Sequence, residues 1–282
     1  MRKRISFISV LTMFLAIGFV IIFSRPVKAA ANGVILKSNR TYAAYDVTGD
    51  GMKDKIRIRA ANQTDDEAYA SLTVSVNGKT AYRLKNTRFY NVIANIYTLK
   101  NGQPFLYLYA PADNGDGPVC ALLKYTNGKF RKILDFTEIM AGYGNHRIGE
   151  VTNLNGNKIV ITESIVSYSL GINAINFTYK YVNGKFVPTS RYGSYKEIYS
   201  TDGSSRYFTV NSDLPAYTRP DATAVNTTLK TGSLTKIIKC ALISGKMYIQ
   251  LECDGEIYWI KALENPPIAD NERQFMEVRY AG

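Results

Sequence analysis

Histidine and tryptophan each occur once in this 282-residue chain, cysteine three times and proline nine times. The single histidine, His146, excludes a His-rich zinc site, and no Walker loop or Gly-x-Ser-x-Gly elbow marks a nucleotide fold or a serine hydrolase. Three cysteines are too few to staple a chain of this length, so buried apolar surface has to hold the fold. Cys240 and Cys253 flank an expected hairpin turning at Ser244-Gly245. A two-residue turn there sets Ile243 opposite Lys246 and Cys240 opposite Ile249. Cys253 then lies four residues farther on, which at about 3.4 Å per residue exceeds the ~7 Å reach of a disulfide. Cys240, Cys253 and Cys120 are therefore expected as buried free thiols.

Long apolar runs are equally scarce, and the one that exists lies at the start. Arg2-Lys3-Arg4, the run Ile5 to Phe23 and the small-residue sequence Val27-Lys28-Ala29-Ala30-Ala31 read residues 1–31 as an export signal, with cleavage after Ala29 or Ala31. The run also approaches the ~20 residues that span a bilayer, so a retained N-terminal membrane anchor is the alternative. Either outcome makes the protein secreted or places it on the extracytoplasmic side of the cell envelope. Acidic residues are in deficit too, 23 against 35 Lys and Arg, a formal charge of +12. Five of the basic residues and no acid precede Ala29, so the remainder keeps 30 against 23, or +7. Outside a cell that balance favours anionic partners such as a cell-wall polymer or peptidoglycan. No nucleic acid is expected there, and the membrane is met only through the N-terminal segment if it is uncleaved. No run of five or six like charges marks a dedicated patch.

What the chain has in quantity is tyrosine, 21 residues, and strand-like alternation. Lys55–Ile58, Leu72–Val76, Phe105–Tyr109, Lys158–Thr162 and Ile175–Tyr179 read as strands, and no amphipathic helix precedes residue 190. Asn-Gly-Lys recurs at 77–79, 127–129 and 183–185, at intervals of 50 and 56 residues. Asn-Gly favours a type I′ hairpin turn, in which both central residues take positive φ. A second turn precedes each unit's first strand, at Asp50-Gly51, Asn101-Gly102 and Asn155-Gly156. Each unit thus has the content of a four-stranded blade, and residues 32–192 are expected to form an all-β, propeller-like or sandwich-like β-repeat domain.

Between the first strands lies Asp46-Val47-Thr48-Gly49-Asp50-Gly51-Met52-Lys53-Asp54. Oxygen ligands at relative positions 1, 3, 5 and 9 (Asp46, Thr48, Asp50, Asp54), the Met52 carbonyl at 7 and Gly51 at 6 suit Ca²⁺. An EF-hand would need a bidentate Glu at position 12, where Arg57 stands; an Asp/Gly-rich turn without metal is the other reading. The stretch Asp46 to Ile58 resembles the FG-GAP or VCBS class of extracellular propeller repeats, with Thr48 in place of the usual Asn or Asp. That resemblance implies a structural calcium within one blade. Asp113-Asn114-Gly115-Asp116-Gly117 is a further acidic turn, read as a second cation site or a solvated hairpin loop.

Residues 193–206 read as a polar linker, and 207–262 resemble a bacterial SH3-like barrel. The resemblance rests on Leu214-Pro215-Ala216-Tyr217-Thr218-Arg219-Pro220, Leu229-Lys230-Thr231-Gly232-Ser233-Leu234, Asp254-Gly255 and Tyr258-Trp259-Ile260. The family usually places Gly before that Trp, where Tyr258 stands. It implies a wall-facing module with Tyr217, Tyr248, Tyr258 and Trp259 as candidate ligand-binding aromatics, followed by a C-terminal tail, 263–282. The expected function is a non-catalytic envelope binding or adaptor protein, which meets a wall polymer or another envelope protein. The alternative is a wall-polymer hydrolase using His146 with Glu150 or Glu138.

Overall fold

The computed structural model describes residues 34–64, 66–196 and 204–278; the expected export signal and part of the expected linker lie outside them. Among the described residues the regular structure is β-strand with four short 3₁₀ turns, and no helix is long and apolar enough to cross a membrane. After β1 (Val34–Ile35), the strands β2 (Thr41–Tyr45), β3 (Asp54–Gln63), β4 (Tyr69–Val76) and β5 (Lys79–Phe89) form a first antiparallel sheet. A second sheet is built from β6 (Ile93–Thr98), β7 (Pro104–Ala110), β8 (Val119–Thr126) and β9 (Lys129–Asp135), with β1 on its β6 edge. Then come β10 (Gly144–Asn155), β11 (Lys158–Ser167), β12 (Gly171–Val182), β13 (Lys185–Pro188), β14 (Tyr192–Lys196), β15 (Tyr207–Thr209), β16 (Leu214–Ala216), β17 (Thr227–Leu229), β18 (Leu234–Ile243), β19 (Lys246–Cys253) and β20 (Glu256–Lys261). Their third sheet has the order β10-β11-β12-β14-β18-β19-β20, with β13 on β12 and β15 on β18; β16 and β17 make a two-stranded ribbon.

The expected turns form where Asn-Gly stands. Asn77-Gly78, Asn127-Gly128 and Asn183-Gly184 all carry positive φ at both residues, as do Ser244-Gly245 and Asp254-Gly255. Glycine and asparagine tolerate that conformation at least steric cost, which fixes the register of each hairpin. Ile243 accordingly faces Lys246 and Cys240 faces Ile249, and all three cysteines are buried and free.

Strand patterning then dictates how the sheets stack. On β3 and β4, Ile56, Ile58, Leu72, Val74 and Val76 are buried while Lys55, Arg57 and Arg59 are exposed, the signature of a sheet with one wet face. β7 is buried on both faces. Phe105, Tyr107 and Tyr109 join the core shared with the third sheet, whereas Leu106, Leu108 and Ala110 join the core shared with the first. The second sheet is therefore the middle layer, aromatic on one side and aliphatic on the other.

The stretch expected as a linker from 193 begins as part of β14, which bridges the two halves of the third sheet. Ala174–Asn176 of β12 pair with Lys196–Ser194, and Tyr192, Gly193 and Ser194 pair with Ala241, Cys240 and Lys239 of β18. One core runs from Tyr97 through Tyr195 and Phe208 to Phe275. None of the sheets closes into a barrel; Tyr217 and Trp259 exchange backbone hydrogen bonds of 2.8 Å that tie the β16–β17 ribbon to β20. The chain after β20 straps this region down. Leu263 N donates to Ser169 Oγ, Gln274 Nε2 to the Lys261 carbonyl, and Phe275 bridges Val210 and packs at a tilt against Phe208.

Candidate functional site

The loop between β2 and β3 is organised by two carboxylates. Asp46 accepts from the backbone N–H groups of Gly49 (2.6 Å), Asp50 and Gly51 (2.7 Å). Burial raises its pKa, and the donors from Gly51, Gly49, Asp50 and Thr48 outweigh that effect, leaving it below the ordinary carboxylate value. Asp54 is buried and accepts from Val47 N, Thr48 N and Asn77 Nδ2 (2.6 Å), which ties the loop to the first Asn-Gly turn. The Thr48 hydroxyl lies 3.3 Å from both Asp46 Oδ1 and Asp54 Oδ1, yet has one proton to give. Both separations are hydrogen-bond distances, and the same carboxylate oxygens accept from Gly49 N, Asp50 N and Asn77 Nδ2. Asp50 Oδ1 instead takes the Met52 N–H (2.8 Å), and the Met52 side chain is 68% exposed. Among the described residues no cluster of three or more His, Cys, Asp or Glu is placed to hold a metal.

Three of the four aromatics singled out from sequence meet. Tyr217, Tyr248 and Trp259 form a small cluster with Ala241, apart from the main cores, with Tyr192, Ala222 and Ile243 packed against it. Tyr258 does not join them. Consecutive strand residues point to opposite faces, and Tyr258, opposite Leu251, packs against the main core instead. Lysines lie over the rings. Lys239 Nζ is 4.7 Å from the Tyr192 centroid and 5.8 Å from that of Trp259, Lys261 Nζ is 5.0 Å from Tyr217, and Arg191 covers Tyr192 at 5.2 Å. Register puts these groups on one outer face: Lys239, Gln250 and Trp259 form one row, and Tyr192, Ala241, Tyr248 and Lys261 the next. Lys236 opposite Glu252 and Ile257 extends it, with Tyr207 under Lys236. Lys236 and Lys239 share this face, though three residues apart, because a bulge separates Ile237 from Lys239.

The third cluster joins His146, a candidate from the sequence, to a partner that sequence reading missed. His146 lies in β10, where it pairs with Ile165, and its Nδ1 is 3.3 Å from Glu163 Oε2. Glu163 is wholly buried, at an inward position of β11 between Ile161 and Ile165, and neither of its oxygens nor either imidazole nitrogen has a hydrogen bond. That carboxylate in the apolar series Ile159, Ile161, Ile165 was the signal available in the sequence. At 3.3 Å the two could be an ion pair, but burial pushes the Glu163 pKa well up and that of His146 down. Burial thus favours the neutral form of both groups. Glu150 faces away and lies 3.7 Å from Lys196, and Glu138 sits in the 3₁₀ turn Phe136–Glu138. Cys120 donates to the Gly149 carbonyl, and burial pushes its pKa up to about 12, so it is a thiol rather than a nucleophilic thiolate. Both imidazole nitrogens are buried and in this arrangement reach no polymer.

Gly149, opposite Glu163, is required by close approach: a Cβ there would lie 2.4 Å from Phe136 Cδ1 and 2.5 Å from Glu163 Oε1. Gly149→Ala is expected to destabilise the protein by about 1–3 kcal/mol, read as a lower urea midpoint at unchanged slope.

No family model, curated protein or solved structure matches this chain. The functional reading therefore rests on its own residues.

Proposed function

We propose that this protein is an envelope-side binding or adaptor module that holds an anionic wall polymer or peptidoglycan on the outer face of its C-terminal sheet. The observation that carries this reading is the set of ammonium groups held over rings: Lys239 over Tyr192 and Trp259, Lys261 over Tyr217. A cation over a ring face is held electrostatically and keeps its outward N–H groups for a second partner. Register assigns two acids to this face, Glu252 and, through the row Thr162, Asn176 and Ser194, Glu150; against Lys196, Lys236, Lys239 and Lys261 the surface is net positive. Such a surface captures polyanions and releases them as salt screens the contact. In this reading residues 207–262 act as an SH3-like module and residues 32–192 as propeller-like or sandwich-like repeats of the FG-GAP/VCBS kind, exported through the N-terminal segment. Retention on purified wall polymer at low salt and elution with rising salt test it; passage through the column at low salt would overturn it.

The loop after β2 has a structural role in this proposal. Asp46, Thr48, Asp50, the Met52 carbonyl and Asp54 would hold calcium, which would replace hydrogen bonds to backbone amides by a bridge across the loop. At a hundredfold excess over Kd a bound ion stabilises by about 2.7 kcal/mol. Calcium is therefore expected to raise the melting temperature of the wild type. Asp50→Ala is expected to abolish that rise while leaving the calcium-free protein nearly unchanged, because Asp50 accepts only the exposed Met52 N–H. Identical melting curves of the wild type with calcium and with chelator would reduce the loop to a turn.

A further inference from the structure

A groove of about 740 Å³ separates the loop after β2 from the β6–β7 and β8–β9 turns of the second sheet. That volume falls within the roughly 300–1,000 Å³ of small-molecule sites. Its walls carry Tyr45 and Tyr125, three amides (Asn101, Gln103 and Asn127) and the hydroxyl of Thr126. Asn101 Oδ1 accepts from Gln103 N and Gln103 Nε2 gives one N–H to the Pro104 carbonyl, so the Gln103 oxygen with its second N–H and the Asn127 amide are the groups a ligand would meet. Two charged residues also border it, and both are engaged elsewhere. Asp46 is occupied by three loop amides and the Thr48 hydroxyl, and in the calcium-bound loop proposed above it would be taken by the ion instead. Lys124 Nζ donates to Tyr181 Oη at 2.9 Å, on the third-sheet side of the second sheet and away from the groove.

The groove therefore offers rings and neutral donor-acceptor groups without an uncommitted charge. A polyanion gains nothing from such a lining, and an apolar ligand would strip water from the amides uncompensated. A neutral sugar matches it: its C–H face covers a tyrosine ring while its hydroxyls bond to amides. A side-chain amide also presents a donor and an acceptor together, the complement of an acetamido group. We propose that this groove binds a neutral, N-acetylated oligosaccharide, as a site separate from the lysine-covered face and whatever that face binds.

Titration of the full chain with triacetylchitotriose, followed by amide NMR shifts, tests this. The expected result is saturable shifts at Gln103, Tyr125 and Thr126, with affinity reduced at least about tenfold in Gln103→Ala and in Tyr125→Ala. Tyr125 lies edge-on to Phe130, so Tyr125→Ala also loses packing; the part-exposed Gln103→Ala keeps the test valid if that variant fails to fold. Lys261→Ala should bind the sugar as the wild type does. Absence of saturable shifts at about 10 mM sugar, equal binding of maltotriose, or an unchanged affinity in Gln103→Ala would overturn the proposal.

Discussion

Glu163→Gln is expected to gain stability relative to the wild type as pH rises above about 4.5, at up to roughly 1.4 kcal/mol per pH unit, until Glu163 ionises in the folded protein. The sign follows from linkage. Burial raises the folded-state pKa of Glu163 above its unfolded value. Below the unfolded value the carboxyl is protonated in both states and its contribution is fully present; that contribution is lost as pH rises through the folded pKa. His146 runs the other way, because burial lowers its folded pKa: its contribution is present above about 6.5 and lost as pH falls. Where the two windows overlap, above about 4.5 and below about 6.5, the slopes oppose each other in the wild type. The Gln variant keeps only the histidine slope, so subtracting the two curves isolates Glu163. Groups around the pair are common to both proteins. Asp135 raises the Glu163 pKa, Asp116 and Asp135 act on His146, and Tyr107 and Cys120 stay protonated in the same interface. Urea denaturation at several pH values measures the difference, and parallel curves would mean that Glu163 is ionised throughout.

The architecture was legible wherever local chemistry decides it. Alternation at Lys55–Ile58 and Leu72–Val76 gives one-faced strands, and the unbroken run Phe105–Tyr109 belongs to a strand covered on both sides. The Asn-Gly turns set the hairpins because few other residues accept positive φ twice in succession. Less of the site was legible, for identifiable reasons. Tyr192–Lys196 has the small and polar composition of a junction, and it becomes a strand because Gly193 lets β14 fit against Ile175 and Phe177, where a Cβ would approach to 2.5 Å. The face occupied by Lys236 and Lys239 depends on a bulge that periodicity does not reveal. Tyr258 and Trp259 could have been separated by strand alternation alone. Glu163 needed the same reading, as the one acid in an otherwise apolar series.

The second large effect concerns the lysines over the aromatic cluster. Replacing both Lys239 and Lys261 by alanine removes two charges from one face. At about 1 kcal/mol per lysine near an anionic surface, the loss is about 2 kcal/mol, or roughly 30-fold in affinity. Folding should be little affected, since exposed cation–π contacts are worth about 0.5–1 kcal/mol each and the rings are held by Ala241, Ile243 and one another. A control of equal net charge is available in Lys55 and Lys79, which lie on the first sheet and are exposed. Non-specific attraction to a basic protein would weaken equally in both variants, whereas a dedicated face would not.

Co-sedimentation with purified anionic wall polymer across a salt series, comparing wild type, Lys239→Ala/Lys261→Ala and Lys55→Ala/Lys79→Ala, measures that distinction directly. The proposal predicts retention of the wild type and the control at low salt, with binding weakened roughly 30-fold in the Lys239/Lys261 variant alone. Equal retention of all three proteins, or an equal loss in both variants, would contradict it.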